Sequence, residues 1–399
     1  MLAILTTHPI QYQIPIWQAL ATAGQVPFEV WYLTNHGIQP SLDRGFGKTF
    51  SWDIDMLSGY PHRFLEMAEG TSPDDFWRCR LREQLRVRLG DSNVKALWIQ
   101  GWQVAAYWQA VRAARAAKVE VWLRGESNDL APVPLWKRPL KQMALGGLFA
   151  GVDRFLYIGS ANRRLYKNYG VPDSRLYSAP YAVDNNRFAA QASALRPQRL
   201  EFRRRWGISD DAFCVLFCGK FIKKKRPLDL VQAARLLKAD GRLRNIHLLF
   251  VGSGDLAHEL REACNVVYDA EMFGLDATFG PSSARSDAPP ASFAGFLNQT
   301  EISRAYVAAD CLVLPSDHGE TWGLVVNEAL ASELPCLVSD GCGCAEDLAG
   351  KEFSFSLGCV DTLAQKLQQL HLNLPNDVSR KLPSFNETVS TITRAYSER

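Results

Sequence analysis

The sequence predicts two doubly wound α/β domains, Rossmann-like sheets facing across a cleft, and three observations carry that expectation. Short apolar runs alternate with helix-length segments, as buried parallel strands joined by crossover helices do. The alternation opens at Leu2-Ala3-Ile4-Leu5, lapses over a polar, Pro-containing stretch, and restarts at Phe213-Cys214-Val215-Leu216-Phe217-Cys218. A chain of 399 residues also has room for two domains of ordinary size.

Composition narrows the class. Hydrophobic residues make up 47% and charged residues 22%, with a net charge of +3, which fits a globular protein and argues against dominant non-specific nucleic-acid binding. No apolar run reaches the length of a membrane span. The N-terminus lacks a basic leader and turns polar by Thr6-Thr7-His8, so no signal peptide is expected and a cytoplasmic enzyme is the default. Nine cysteines, mostly in apolar runs, read as reduced core residues. Cys342 and Cys344 form one close pair, and no second Cys or His pair stands at zinc spacing. No metal is expected.

In chain order, the first strand is followed by a loop with His8 and Gln11, the helical Ile16–Leu20, and a second strand, Phe28–Leu33. His8 and Gln11 stand where ligands bind, beyond the carboxyl end of a parallel strand; the other reading is that they satisfy loop backbone groups. Residues 40–75 show little periodicity and are read as a loop on the acceptor side. Arg78 to Leu89 reads as a strongly basic helix, either a solvated face or one that meets anionic lipid or phosphate. Ala96–Ile99 and Val119–Leu123 are further strands around an Ala-rich helix from Val104 to Ala117. The second ends in Arg124-Gly125-Glu126, so Arg124 and Glu126 are cleft candidates or helix-cap residues. Pro132 to Phe149 mixes Trp136, Lys137, Arg138, Lys141 and Met143 with apolar residues and reads as an amphipathic segment.

Residues 191–205 read as a linker between a first domain at 1–190 and a second at 206–383, with a terminal helix over 384–399. The strand at Phe213 runs into Gly219-Lys220-Phe221-Ile222-Lys223-Lys224-Lys225-Arg226, whose clustered cations suit a diphosphate or form a solvated turn. A later strand ends in Gly252-Ser253-Gly254, and residues 265–290 read as an inserted, mobile loop. Cys311-Leu312-Val313-Leu314 then leads through a polar turn, Ser316 to Gly323, into an apolar helix. Backbone amides near Gly323, Leu324 and Val325, with the positive end of the helix dipole, favour a phosphate there. Glu320 and Glu328 bracket that point; were the interval mostly helical, they would stand roughly 12 Å apart, about the span from sugar to ribose across a diphosphate.

The run Glu320-Thr321-Trp322-Gly323-Leu324, then Glu328-Ala329-Leu330-Ala331, then Pro335 resembles the donor motif of the retaining glycosyltransferases grouped as family 4, whose two-domain fold is called GT-B. Lys220 and Lys225 match that family's Gly-Arg-x-x-x-x-Lys loop with Lys in place of Arg, and Val183, Asp184 and Phe188 match its Val-Asp-x-x-x-Phe segment. A Gly-rich loop after the first strand and a histidine near residue 124, both frequent in the family, are missing. The resemblance implies metal-independent sugar transfer, with retention, from a nucleotide sugar to an acceptor hydroxyl in polysaccharide or glycolipid assembly. It gives Glu320, Lys220 and Lys225 catalytic roles and places Glu328, Trp322, Gly323, Leu324, Val325, Gly219, Gly252 and Phe296 at the donor, Phe296 as a base wall or as core. It implies no cofactor, since the nucleotide sugar is a substrate, an acceptor that is a glycan, a lipid-linked or a small molecule, peripheral membrane contact, and a terminal helix returning to the first domain. An epimerase, a phosphorylase or a non-catalytic nucleotide-sugar binding module on the same plan are the alternatives.

Overall fold

A computed structural model describes the chain except residues 37, 39–40, 44–47, 51–54, 72–74, 83–84, 274–286, 375–380 and 399. The chain divides into two compact units, one of Met1–Ser41, Ile54–Val183 and Pro383–Arg399, the other of Leu42–Asp53 and Asp184–Leu382.

The first unit is built on β1 (Leu2–Thr6), β2 (Phe28–Tyr32), β5 (His62–Phe64), β6 (Ala96–Ile99), β7 (Glu120–Leu123), β8 (Arg154–Tyr157) and β9 (Leu176–Ser178); the separate pair β3 (Ser41–Asp43) and β4 (Lys48–Phe50) falls, but for Ser41, to the second. Its sheet runs β5-β2-β1-β6-β7-β8-β9, parallel throughout. Every residue of β1 is buried, which explains why its sequence is continuously apolar rather than alternating. Strand order reverses between β1 and β6, so the loops leaving those two strands diverge and open a crevice. The helix Phe385–Ser397 belongs to this unit; it starts in a capping box of Ser384 and Glu387 and buries Thr388, Val389, Ile392 and Ala395.

The second unit repeats the plan with β10 (Phe213–Cys218), β11 (Ile246–Val251), β12 (Asn265–Asp269), β13 (Pro290–Gly295), β14 (Cys311–Leu314), β15 (Cys336–Ser339) and β16 (Ser354–Phe355). The order is β12-β13-β11-β10-β14-β15-β16, again parallel, and the reversal falls between β10 and β14. Phe217, Phe221, Phe250 and Phe293 fill one layer of its core, the last two stacked with centroids 5.0 Å apart. None of the nine cysteines is bridged. Among the described residues no helix is long and apolar enough to cross a membrane.

Four expectations fail, the first in the stretch 40–75, which is not a loop throughout but carries β3, β4 and β5. Residues 191–205 are not a linker: the helices Asn185–Leu195 and Arg199–Arg205 span them, and the second unit begins at Asp184. Their arginines disguise a packed surface. Arg199 pairs with Asp310 at 2.7 Å, while Arg203, 1% exposed, donates to the Ala308 carbonyl at 3.1 Å. Within the basic stretch 78–89, residues 78–82 are not helical and the helix Leu85–Asp91 takes up the later part; the Asp75 carboxylate accepts the amides of Trp77 and Arg78 and turns the chain there. Residues 265–290 are not one loop, since they contain β12 and the helix Ala270–Phe273; residues 274–286 lie outside the described residues.

Candidate functional site

The reversal of strand order in the second unit brings together two loops distant in sequence. The loop after β10 carries Lys225, the loop after β14 carries Glu320, and the ammonium and carboxylate form an ion pair. Both side chains are largely shielded, 17% and 14% exposed, so the pair is far less screened than an open surface one. Backbone bonds fix the loops against each other and against the turn after β15. The Asp317 amide donates to the Lys224 carbonyl at 2.8 Å, Gly343 to Glu320 at 3.0 Å, and Cys344 to Trp322 at 3.1 Å. Glu320 is therefore held by its main chain, and its carboxylate is free to exchange partners without the loop moving.

Behind Glu320 the chain enters the helix Leu324–Ala331 through Gly323, whose φ of 106° is left-handed. Only glycine fits: a Cβ there would stand 2.6 Å from Leu314 Cδ2. The Val326 amide donates to the Gly323 carbonyl at 2.9 Å, leaving the first-turn amides of Leu324 and Val325 without an intrahelical acceptor. They lie one short turn beyond Glu320, with the positive end of the helix. The helix covers only part of the interval between the two glutamates, so the rise-based spacing estimate does not hold; Glu320 to Gly323 is a turn. Trp322 is buried and donates from its indole to Asn327 Oδ1 at 2.9 Å, so its side chain staples the helix start and does not present a face to a ligand.

Glu328 is 4% exposed and accepts a hydrogen bond from the Tyr306 hydroxyl at 2.5 Å. Tyr306 in turn packs edge-on against Phe188, centroids 6.2 Å apart. Phe188 rides on a helix that Asp184 caps by accepting the Arg187 amide at 2.9 Å. The Val-Asp-x-x-x-Phe segment thus braces Tyr306, and through it Glu328. Tyr306 was not picked out from sequence, where it is one more aromatic in an apolar helix.

The other donor-side candidates line neighbouring strand ends. Gly219 and Gly252 follow β10 and β11, and a Cβ on Gly252 would come within 2.0 Å of the Gly219 carbonyl. Lys220, half-buried, is on the same loop as Lys225, and Phe296, also half-buried, directly follows β13. Arg226 is committed elsewhere, paired with Asp229 at 2.7 Å. Cys342 and Cys344 are fully buried in the turn after β15, where desolvation pushes both thiols well up; among the described residues no cluster of three metal-ligating side chains occurs.

In the first unit His8 and Gln11 follow β1, at the other strand reversal. The His8 ring bonds to Thr7 Oγ1 at 2.9 Å. Gln11 is buried and its Oε1 has no hydrogen-bond partner among the described residues. Gln100, at the end of β6 across the reversal, was missed: it is 7% exposed and its Nε2 is likewise unpartnered. Arg124 and Glu126 follow β7, one strand further. Arg124 lies 4.6 Å over the Tyr181 ring and donates to the Ala179 carbonyl at 3.1 Å, leaving Nε and Nη1 without partners. Burial pulls its pKa down to about 10, with Glu126 opposing, so it stays charged at neutral pH. Glu126 accepts from the Tyr181 hydroxyl.

The family model described as Glycosyl transferases group 1 matches residues 212–373. A D-inositol 3-phosphate glycosyltransferase of Geodermatophilus obscurus is 31% identical over 181 residues, 44% of this chain and 35% of its own length, so the likeness spans about a third of that relative. A crystal structure of a glycosyltransferase from Rickettsia africae superposes over 100% of this chain and 98% of its own at a TM-score of 0.68 and 14% identity. The Anabaena protein HepE, solved in complex with UDP-glucose, covers 100% and 94% at a TM-score of 0.59 and 13% identity. At such identities these two structures speak to the fold.

Proposed function

We propose that this chain, a two-domain GT-B protein whose residues 212–373 belong to the glycosyltransferase group 1 family, transfers a sugar from a nucleotide-diphosphate sugar to an acceptor hydroxyl with retention at the anomeric carbon and without a metal. One observation carries the reading: the shielded Lys225–Glu320 pair, at the strand reversal and one turn before open helix amides. A donor supplies what each member of the pair lacks in solvent. Its diphosphate replaces Glu320 as the partner of Lys225, and its sugar hydroxyls replace Lys225 as the partners of Glu320.

As the glycosidic bond breaks, positive charge grows on the sugar ring and negative charge on the departing diphosphate. Lys225, Lys220 and the amides of Leu324 and Val325 stabilise the latter, a service preorganised before the reaction begins. The acceptor attacks the face the phosphate leaves, and its proton passes to the leaving phosphate, so no protein nucleophile is required. Glu320 orients the sugar. Glu328, set by Tyr306, holds the ribose hydroxyls, and Phe296 flanks the base beside Gly252. His8, Gln11, Arg124 and Glu126 serve the acceptor, a step in polysaccharide or glycolipid assembly in the cytoplasm. That HepE was solved with UDP-glucose on the same fold supports a nucleotide-sugar donor.

The test is a thermal-shift screen against UDP-, GDP- and ADP-sugars, followed by product analysis with the best donor. We expect one nucleotide class to stabilise the chain, an anomeric configuration by NMR that matches the donor's, and turnover unchanged by a chelator. An inverted product, or loss of turnover on chelation, would overturn the assignment.

A further inference from the structure

A cavity of about 550 Å³ opens in the first unit beyond the carboxyl ends of β2 and β5, next to β1 in the sheet. Leu33 and Ile38, on the chain leaving β2, and Phe64, Leu65 and Met67, at the end of β5 and after it, give it an apolar lining. Strand pairing sets that lining in place. The Leu33 amide donates to the Thr6 carbonyl at 3.1 Å and the Leu65 amide to the Tyr32 carbonyl at 2.8 Å, so the sheet continues one residue past each strand and both leucines are buried. Met67 is pinned by a bridge to Leu81. Phe64 tilts over Tyr32, centroids 5.5 Å apart, yet stays 42% exposed. The rim has little polar capacity to spare. Thr34 Oγ1 donates to the Thr7 carbonyl at 3.2 Å and Thr71 Oγ1 to the Ala68 carbonyl at 2.6 Å, which leaves an exposed Asn35 as the rim's amide. Among the described residues no charged side chain lines the cavity. The same stretch touches the loop after β1: the Thr34 amide donates to the Thr7 carbonyl at 2.8 Å, and His36 meets the His8 ring edge-on, centroids 5.3 Å apart.

We infer that this cavity holds an uncharged hydrocarbon part of the acceptor, aliphatic or aromatic, with the hydroxyl-bearing part directed to His8 and Gln11. Its volume falls within the roughly 300–1,000 Å³ of small-molecule sites, and a largely apolar lining with a few polar groups at the rim is what such sites share. The lining selects the chemistry. A phosphate or carboxylate entering it would shed its hydration with no cation to meet it, and a bare sugar would leave most of its hydroxyls unbonded, since both threonine hydroxyls already donate to the protein. A hydrocarbon group loses nothing on entry and gains by leaving water. The position, beyond the carboxyl ends of parallel strands and beside His8, is where a second part of a ligand seated at the neighbouring strand reversal would lie. Calling the occupant an acceptor rests on the glycosyl-transfer reading; the selection for uncharged hydrocarbon rests on the lining alone.

The experiment titrates the full chain with N-phenyl-1-naphthylamine, an uncharged probe that fluoresces in apolar sites, and displaces it with 1-alkanols, phenylalkanols, octanoate and methyl glucoside. We expect saturable binding, and displacement that strengthens about fourfold with each methylene of the alkanol until the chain outgrows the cavity. Octanoate and methyl glucoside should be about tenfold weaker than octanol or worse. Whichever of the alkanols and phenylalkanols displaces better identifies the occupant as aliphatic or aromatic. Thr71→Trp, which fills the cavity from its rim, and Phe64→Ser, which strips its exposed wall, should each weaken probe binding about tenfold or more. Melting temperatures accompany both, and Thr71→Trp decides alone if Phe64→Ser melts early. In transfer assays with the best donor, alkyl or phenyl glycosides should show an acceptor KM about tenfold below that of the methyl glycoside, a difference that Thr71→Trp erases. Equal KM values would overturn the assignment to the acceptor. A chain that binds the probe as expected but transfers no sugar would overturn the glycosyl-transfer reading and leave the hydrocarbon site standing. Absent probe binding, binding that both variants preserve, potency indifferent to chain length, or a dimer by light scattering that Thr71→Trp dissociates would each overturn the site itself.

Discussion

The two units reverse their strand order at equivalent places, and the two reversals are furnished differently. In the second unit the crevice holds opposite charges closed on each other, Lys225 with Glu320, beside open helix amides. In the first it holds neutral amides, Gln11 and Gln100, each buried with a polar atom left unbonded, while the charges of Arg124 and Glu126 follow β7, a strand away. A buried polar atom without a partner is costly, typically about 1–3 kcal/mol, so such atoms are tolerated where something else completes them. Under the function proposed above, the contrast becomes a division of labour: the diphosphate would be recognised by charge, and hydroxyls of the acceptor by amides able to donate and accept.

The sharpest break of that comparison is in the charged crevice. Lys225→Ala and Glu320→Ala should each lower kcat by about 10²–10³-fold, the usual cost of removing one preorganised stabiliser of developing charge. Since the two groups contact each other, their effects should not add, and the double variant should fall well short of the product of the singles. Steady-state kinetics on the three variants measures this. Losses that multiply fully would mean the pair seen here has no part in the reaction.

Next in size is the brace behind Glu328. Tyr306→Phe removes one hydrogen bond to a buried carboxylate, worth about 1.5–3 kcal/mol, and should weaken free-nucleotide binding about tenfold or more while leaving the ranking of sugars unchanged. Glu328→Ala should do the same more severely. Calorimetry with nucleoside diphosphates reads both. Equal affinity in the Tyr306 variant would show that Glu328 is held without it.

How far the sequence anticipated each half follows from the same contrast. Charges and glycines with one allowed geometry leave traces in spacing. Gly323, Glu320 and Glu328 could be picked out because an apolar helix frame gives them no other employment, and both strand series could be read because doubly buried strands are continuously apolar. The helices over residues 185–205 were hidden by arginines that look solvated until Asp310 and five backbone carbonyls are seen to receive Arg199 and Arg203. Strand β12 was hidden because its Val-Val-Tyr run is only three residues long, lies at a sheet edge, and is followed by a stretch rich in Gly, Ser and Pro. Trp322 read as a ligand contact because the motif frames it, while its hydrogen bond to Asn327 depends on rotamers that spacing does not encode. Gln100 and Tyr306 left no trace, for a glutamine after a strand and an aromatic in a helix are each commonplace until burial and partners are known.

The smallest effects should fall in the neutral crevice, where they are the most discriminating. Gln100→Ala and Gln11→Ala each delete an amide whose one end is unbonded in the free protein, so neither removes an existing hydrogen bond at that atom, and stability should change little or rise slightly as the desolvation cost disappears. If an acceptor hydroxyl completes those atoms, each variant should raise the acceptor KM about two- to tenfold, the worth of one neutral hydrogen bond, with donor affinity untouched. The opposite pattern, a weakened donor with acceptor KM constant, would assign the amides to the nucleotide sugar and dissolve the division of labour between the two reversals. Initial rates with each substrate varied against saturating partner decide between the two, and melting temperatures on the same samples show whether the unbonded atoms were a burden on the fold.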